Sequence, residues 1–195
     1  ALVLIFAGLS YKIASVPFHM WSPDVYEGSP LPVTAFLSVA SKAAGFGLVL
    51  RFFRDGMGSP AMLATVDWPL LLALVSAVTM TVGNLAAFGQ TNVKRLLAYS
   101  SIAHGGYLLM GVVAMGGAQR AESQAAVLFY FVAYLFMNLG AFYVVLHLAS
   151  PDRLGSEEIS AYRGLVRRSP LAAILLSVFL FSLIGLPPFA GFWGK

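Results

Sequence analysis

The sequence contains no cysteine. That excludes a disulfide framework, a thiolate metal site and a cysteine nucleophile. Charge is also scarce: Asp, Glu, Lys and Arg make up 10% of the residues, where a soluble domain carries about 25%. So few charges cannot cover a water-facing surface. No basic segment followed by a short apolar core and a cleavage site is present, so no signal peptide is read. A Walker loop, a glycine-rich dinucleotide fingerprint, a zinc spacing and a haem-attachment motif are all missing. No metal or redox cofactor is therefore expected in this chain. Acids are absent from the apolar runs: Asp24, Glu27, Asp55, Asp67, Glu122, Asp152, Glu157 and Glu158 all fall in loops or at span ends.

What is abundant is apolar. Hydrophobic residues are 59% of the 195, and several runs approach the roughly 20 residues that cross a ~30 Å hydrocarbon core. Six spans are read: Leu2 to Phe18, Val33 to Phe53, Trp68 to Gly89, Leu97 to Gly116, Ser123 to Ala149, and Leu171 onward. Each is apolar all round, as in a lipid-embedded bundle. The expected fold class is an all-α, multi-pass integral membrane bundle. Ala1 begins inside an apolar run and Lys195 ends one, so the sequence reads as truncated at both ends.

The 12 Lys and Arg against 8 Asp and Glu need no nucleic-acid partner, because basic cytoplasmic loops give the same balance. The loops after spans one, three and five carry Lys94, Arg95, Arg153, Arg163, Arg167 and Arg168. The opposite side carries Arg51, Arg54 and Arg120. The positive-inside rule then places the richer side in the cytoplasm.

Lysines depart from this pattern. Lys12 falls in the middle third of span one and Lys42 near the centre of span two. A lysine at a helix centre costs on the order of 2.5–3.5 kcal/mol, and such residues face a bundle interior or a water-filled cavity. Burial disfavours the charged form of a lysine, which suits it to proton exchange. The alternative is a fixed ion pair, whose acid would have to lie outside this sequence. Lys195 follows an apolar run and reads equally well as a lysine snorkelling from a helix end.

Two breaks accompany them. Pro17, in Val16-Pro17-Phe18-His19, removes the helical donor of the Ile13 carbonyl and on its own reads as an ordinary kink. Gly185-Leu186-Pro187-Pro188 removes the helical donors of Leu183 and Ile184 and reads as a true break, with apolar sequence resuming at Phe189. Transporters use broken helices at their ion sites, commonly once in each of two repeats. His104, inside span four, reads as a neutral histidine bonded to a backbone carbonyl, with a relay role as the alternative. His147 reads as interfacial, Asn84 as a bridge between helices, and Gly45 as a point of close helix approach.

The string Pro23-Asp24-Val25-Tyr26-Glu27-Gly28 is specific. With Pro32-Val33-Thr34-Ala35-Phe36, Gly83-Asn84-Leu85, Gln90-Thr91-Asn92-Val93-Lys94-Arg95, Gly185-Leu186-Pro187-Pro188 and Gly191-Phe192-Trp193-Gly194-Lys195, it resembles the N-type antiporter-like subunits of respiratory complex I, the proton-pumping NADH:quinone oxidoreductase. The resemblance runs almost end to end. It implies fourteen helices with two inverted five-helix repeats, of which the six spans here match helices seven to twelve, the seventh and twelfth discontinuous. Residues 1–60 would be the last two helices of the first repeat and 61–195 the first four of the second, with the boundary around Gly56 to Asp67. By the same resemblance Lys12, Lys42 and Lys195 form a proton path through a non-redox subunit, His104 has no assigned role, and Pro17, Pro187 and Pro188 mark the breaks. The implied partners are other membrane subunits of the complex, lipid and protons, in a bacterial inner membrane. A subunit of an Mrp-type cation/proton antiporter is the alternative.

Overall fold

The structure is a computed structural model that describes residues 2–57, 67–117, 119–150 and 153–194. Its elements are helices α1 (Leu2–Ile13), α2 (Trp21–Gly28), α3 (Leu31–Gly56), α4 (Trp68–Ala87), α5 (Val93–Ala114), α6 (Arg120–Leu148), α7 (Leu165–Arg168), α8 (Pro170–Ile184) and α9 (Ala190–Gly194). The protein is all-α. Four of the helices, α3 to α6, are long and apolar enough to cross a membrane, and they match spans two to five. Spans one and six are shorter as helices, at 12 and 15 residues.

The reason is the same at both. Helix α1 stops at Ile13 because Ala14 turns into the left-handed region (φ 57°). The Ser15 N–H then donates to the Ser10 carbonyl (2.9 Å) and the Ala14 N–H to that of Tyr11 (3.1 Å). Helix α8 ends identically: Gly185 (φ 87°) is followed by Leu186 N–H to Phe181 carbonyl and Gly185 N–H to Ser182 carbonyl, both 3.1 Å. This paired pattern is a Schellman cap. Four residues past each left-handed residue a phenylalanine N–H closes a further turn, Phe18 to Ser15 (2.8 Å) and Phe189 to Leu186 (3.0 Å). Both breaks are real, so the kink read for Pro17 from its own residues gives way to a full interruption.

Helix α3 is continuous but not uniform. Residues Leu37–Ser41 widen into a π-helical turn immediately before Lys42, a local irregularity that recurs at functional sites. Helices α4 and α5 form the tightest pair. A Cβ at Gly83 would lie 2.7 Å from the Ala103 backbone nitrogen, and one at Gly106 would lie 3.0 Å from the Met80 nitrogen and the Ser76 carbonyl. Ser76 Oγ donates to the Gly106 carbonyl at 2.7 Å across the same seam. Only glycine permits such backbone approach. Asn84 Nδ2 donates to Tyr107 Oη (3.4 Å), the expected bridge between spans.

Helix α5 is the most buried of the four long helices. It starts at Asn92, whose side chain accepts from the N–H groups of Lys94 (2.8 Å) and Arg95 (3.3 Å), an N-cap. Around it pack α2, α4 and α6. Helices α8 and α9 lie on α6, where the Gly140 and Gly194 backbones sit under the rings of Phe179 and Tyr130. The loops on the side read as cytoplasmic are tied together. Asn92 and Glu158 form an antiparallel bridge, with Val93 N–H to Glu157 carbonyl (2.9 Å) and Ile159 N–H to Thr91 carbonyl (2.7 Å).

Candidate functional site

Lys42 leaves the π-widened turn of α3 and is 4% exposed. Its ammonium donates to the backbone carbonyl of Ser101 on α5. Among the described residues no carboxylate pairs with it; the ion pairs there belong to Arg51, Arg54, Lys94 and Arg95. The contact that holds Lys42 is a dipole, not a charge.

Around that contact lies a set of buried hydroxyls and amides from four helices. Tyr134 on α6 donates to Ser101 Oγ (2.9 Å) and reaches the Ser38 carbonyl of α3 (3.3 Å). Tyr26 Oη of α2 lies 3.4 Å from the same Ser101 Oγ. Asn138 Nδ2 donates to Ser38 Oγ at 2.7 Å. One turn along α5, His104 is 3% exposed. Its Nδ1 pairs with Tyr130 Oη, and its ring lies 5.2 Å from that of Tyr134, 5.7 Å from that of Tyr107 and 5.9 Å from that of Tyr130. A carbonyl partner is expected for His104 from the sequence; at Nδ1 its partner is a phenol. His104 also lines a pocket of about 700 Å³ shared with Asn84, Gln90, Ser100 and Tyr107. Polar groups thus run from Lys42 along α5 to that pocket.

Lys12 differs from expectation. Because α1 stops at Ile13, Lys12 occupies the last turn rather than the middle of a span, and its side chain is exposed on this chain. Only its stem is covered: a Cβ at Gly45 of α3 would lie 3.3 Å from Lys12 Cγ and 2.9 Å from Ile13 Cγ2. The expected close approach at Gly45 is there, and it seats the end of α1 one turn from Lys42. Lys195 lies outside the described residues. His147 ends α6, exposed.

Two charges read only as loop charges prove to be anchored. Lys94 is 4% exposed, paired with Glu157 (2.9 Å) and donating to the Ser29 carbonyl (3.0 Å). Arg95 Nη1 meets both Asp24 and Glu27 at 2.7 Å, and its Nε meets Gln90 Oε1 at 3.2 Å. The acids of the Pro23 to Gly28 string therefore serve to clamp α2 onto α5.

The family described as "NADH:quinone oxidoreductase/Mrp antiporter, TM" matches residues 1–195. The chain belongs to this family. NADH-quinone oxidoreductase subunit N of Anaeromyxobacter sp. (strain Fw109-5) is 53% identical over 100% of this chain and 38% of that protein. A chain of respiratory complex I from Thermus thermophilus with bound aureothin is 44% identical, with a TM-score of 0.78 over 99% of this chain and 40% of that one. A chain of the Mrp complex from Dietzia sp. DQ12-45-1b aligns with a TM-score of 0.84 at 25% identity, over 98% of this chain and 34% of that one. The sequence thus spans about two fifths of the subunit N relative.

Proposed function

We propose that this chain is part of an antiporter-like subunit of a bacterial proton-translocating NADH:quinone oxidoreductase, and that Lys42 is the central carrier of its proton path. The observation that carries this is Lys42 itself, deep in α3, held by the Ser101 carbonyl with no acid beside it among the described residues. A fixed ion pair would hold its proton permanently. A carbonyl compensates the charge only in part, and no fixed counter-charge among the described residues locks the proton on Lys42.

In this reading Lys12, exposed on the end of α1, faces an acid carried by another segment of the whole protein. While that acid is near, the ammonium is favoured; when it moves away, the proton is released toward Lys42. From Lys42 the polar line of Ser101, Tyr134, His104 and Tyr130 leads toward α9. Lys195, which follows Gly194 in sequence, is proposed as the acceptor at that end, because the Gly194 backbone lies against the Tyr130 ring. The sequence offers no redox ligand set, so electrons would travel elsewhere in the complex. Other membrane subunits would be its neighbours in the bacterial inner membrane.

The matching Schellman caps of α1 and α8 support two repeats, residues 1–60 and 61–195, each with one broken helix. The expected boundary, from Gly56 to Asp67, falls mostly on residues 58–66, outside the described ones.

Replacing Lys12 or Lys195 with alanine in the intact complex is expected to lower both NADH:quinone turnover and coupled pumping at least several-fold. Normal turnover with normal pumping in both variants would end this reading. The Mrp-type likeness makes sodium-coupled antiport the second reading. Sodium-dependent proton movement by the purified assembly, in the absence of NADH and quinone, is the result that would favour it.

A further inference from the structure

The segment between α6 and α8 carries an unbalanced positive charge. Arg153, Arg163, Arg167 and Arg168 are all exposed. Among the described residues none of them meets a carboxylate; the ion pairs there belong to Arg51, Arg54, Lys94 and Arg95. Glu157, an acid of the same segment, is taken by Lys94. Two of the arginines are more than scattered surface charge. Arg153 and Arg168 line one pocket of about 210 Å³ together with Ser169, over an apolar wall of Leu148, Leu154 and Leu165. That is several times the ~30 Å³ share of a water molecule, so a phosphodiester head group fits. Helix α8 leaves the pocket directly, with Ser169 at its lip and Pro170 as its first residue. From there Leu171, Ile174, Leu175, Val178 and Phe181 lie exposed, at the three- and four-residue spacing that makes one helix stripe. From Leu171 to Phe181 the stripe is about 15 Å long at 1.5 Å per residue. One leaflet of a ~30 Å hydrocarbon core has that depth.

We propose that this pocket holds the head group of an anionic phospholipid of the leaflet on the loop side, with one acyl chain lying along the stripe of α8. The two parts select the occupant together. Guanidinium forks match phosphate oxygens, and basic pockets at the cytoplasmic ends of membrane helices take anionic head groups. A free phosphate would leave the stripe without a partner, and a soluble acidic protein would not reach below the head-group layer. Four arginines without carboxylates favour a lipid of net negative charge over a zwitterionic one, whose amine they repel. The lipid also bears on the fold. It steadies the segment whose Glu157 and Glu158 are bonded to the start of α5, and so seats the loop-side end of the broken helix α8. None of this depends on proton transfer by Lys42.

The test places the intact complex in phosphatidylethanolamine vesicles that contain a trace of phosphatidylglycerol with a photoreactive group on its acyl chain. After illumination, mass spectrometry of the peptides locates the adducts. Adducts are expected on the stretch from Leu171 to Phe181, about fivefold or more above those from the same label on phosphatidylethanolamine. Replacing both pocket arginines, Arg153→Gln with Arg168→Gln, is expected to bring them down to that level. Excess inorganic phosphate is expected to leave them unchanged, since the acyl chain holds the lipid in place. Equal labelling by the two lipids, or unchanged labelling in the double variant, would overturn the proposal. So would displacement by inorganic phosphate, which marks a free-anion site, and so would an absence of adducts on α8, which marks the stripe as covered by another helix. Should the double variant fail to assemble, the wild-type complex decides. Unlabelled phosphatidylglycerol, added at a constant fraction of label, is expected to suppress the adducts, and adducts insensitive to it would overturn the proposal. Labelling is read without reference to pumping, so this inference and the function proposed for Lys42 fail separately.

Discussion

Tyr134 of α6 ties α3 and α5 together within the buried polar line. Its hydroxyl bridges Ser101 Oγ and the Ser38 carbonyl, and its ring lies against His104. Tyr134→Phe keeps the ring and deletes the bridge, leaving two buried acceptors under-bonded at a cost of about 1–3 kcal/mol. Pumping is expected to fall several-fold while the variant still assembles, as measured by vesicle acidification per NADH oxidised. Little of this line is legible residue by residue. Lys42 stands out in sequence because a mid-span lysine is costly. Ser38, Ser101, Tyr134 and Asn138 do not, because each is unremarkable in its own helix and gains meaning only when α3, α5 and α6 meet. Asn138, deep within an apolar run, was the one signal that could have pointed there. Lys12 shows the opposite case: its sequence position suggested mid-span burial, and the Schellman cap at Ala14 moved it to an exposed helix end.

At the scale of elements, the two caps offer a paired test. Ala14 adopts the left-handed conformation without being glycine, at a cost of about 1–2 kcal/mol. Ala14→Gly is therefore expected to raise the thermal unfolding midpoint of the subunit, and Gly185→Ala to lower it by a similar amount. The seam between α4 and α5 is stricter. With Gly83 facing the Ala103 backbone, Gly83→Leu forces the helices apart, costing about 1–3 kcal/mol or more, and is expected to abolish assembly on native gels. The long helices α3 to α6 were readable because unbroken apolar runs fix them. The early stop of α1 was not, since alanine carries no stop signal. Nor was the π-helical turn at Leu37–Ser41, which no marker residue announces.

For the whole molecule, the loop face is held by charge. Lys94 pairs with Glu157 in a nearly buried position (side chains 6% and 31% exposed), whereas the carboxylates that meet Arg95 are far more open (73% and 43%). Open pairs contribute about 0–1 kcal/mol, while removing one partner of a buried pair costs more. Lys94→Ala is thus expected to destabilise the subunit more than Arg95→Ala, and raising salt should narrow the gap between Arg95→Ala and wild type first. Thermal unfolding at two ionic strengths reads both. The membrane class and bundle architecture were legible from composition, because too few charges can only mean a lipid-facing surface. The clamp of α2 on α5 was not, because Asp24 and Arg95 lie in different loops and read separately as charges beside a membrane.

The central claim is that Lys42 carries protons. Its most direct test is pH-gradient formation by vesicles holding the intact complex with Lys42→Ala, fed NADH and quinone and compared with wild type at equal complex content. The gradient per NADH oxidised is expected to fall several-fold in the variant. An unchanged gradient per NADH, with unchanged turnover, would contradict it.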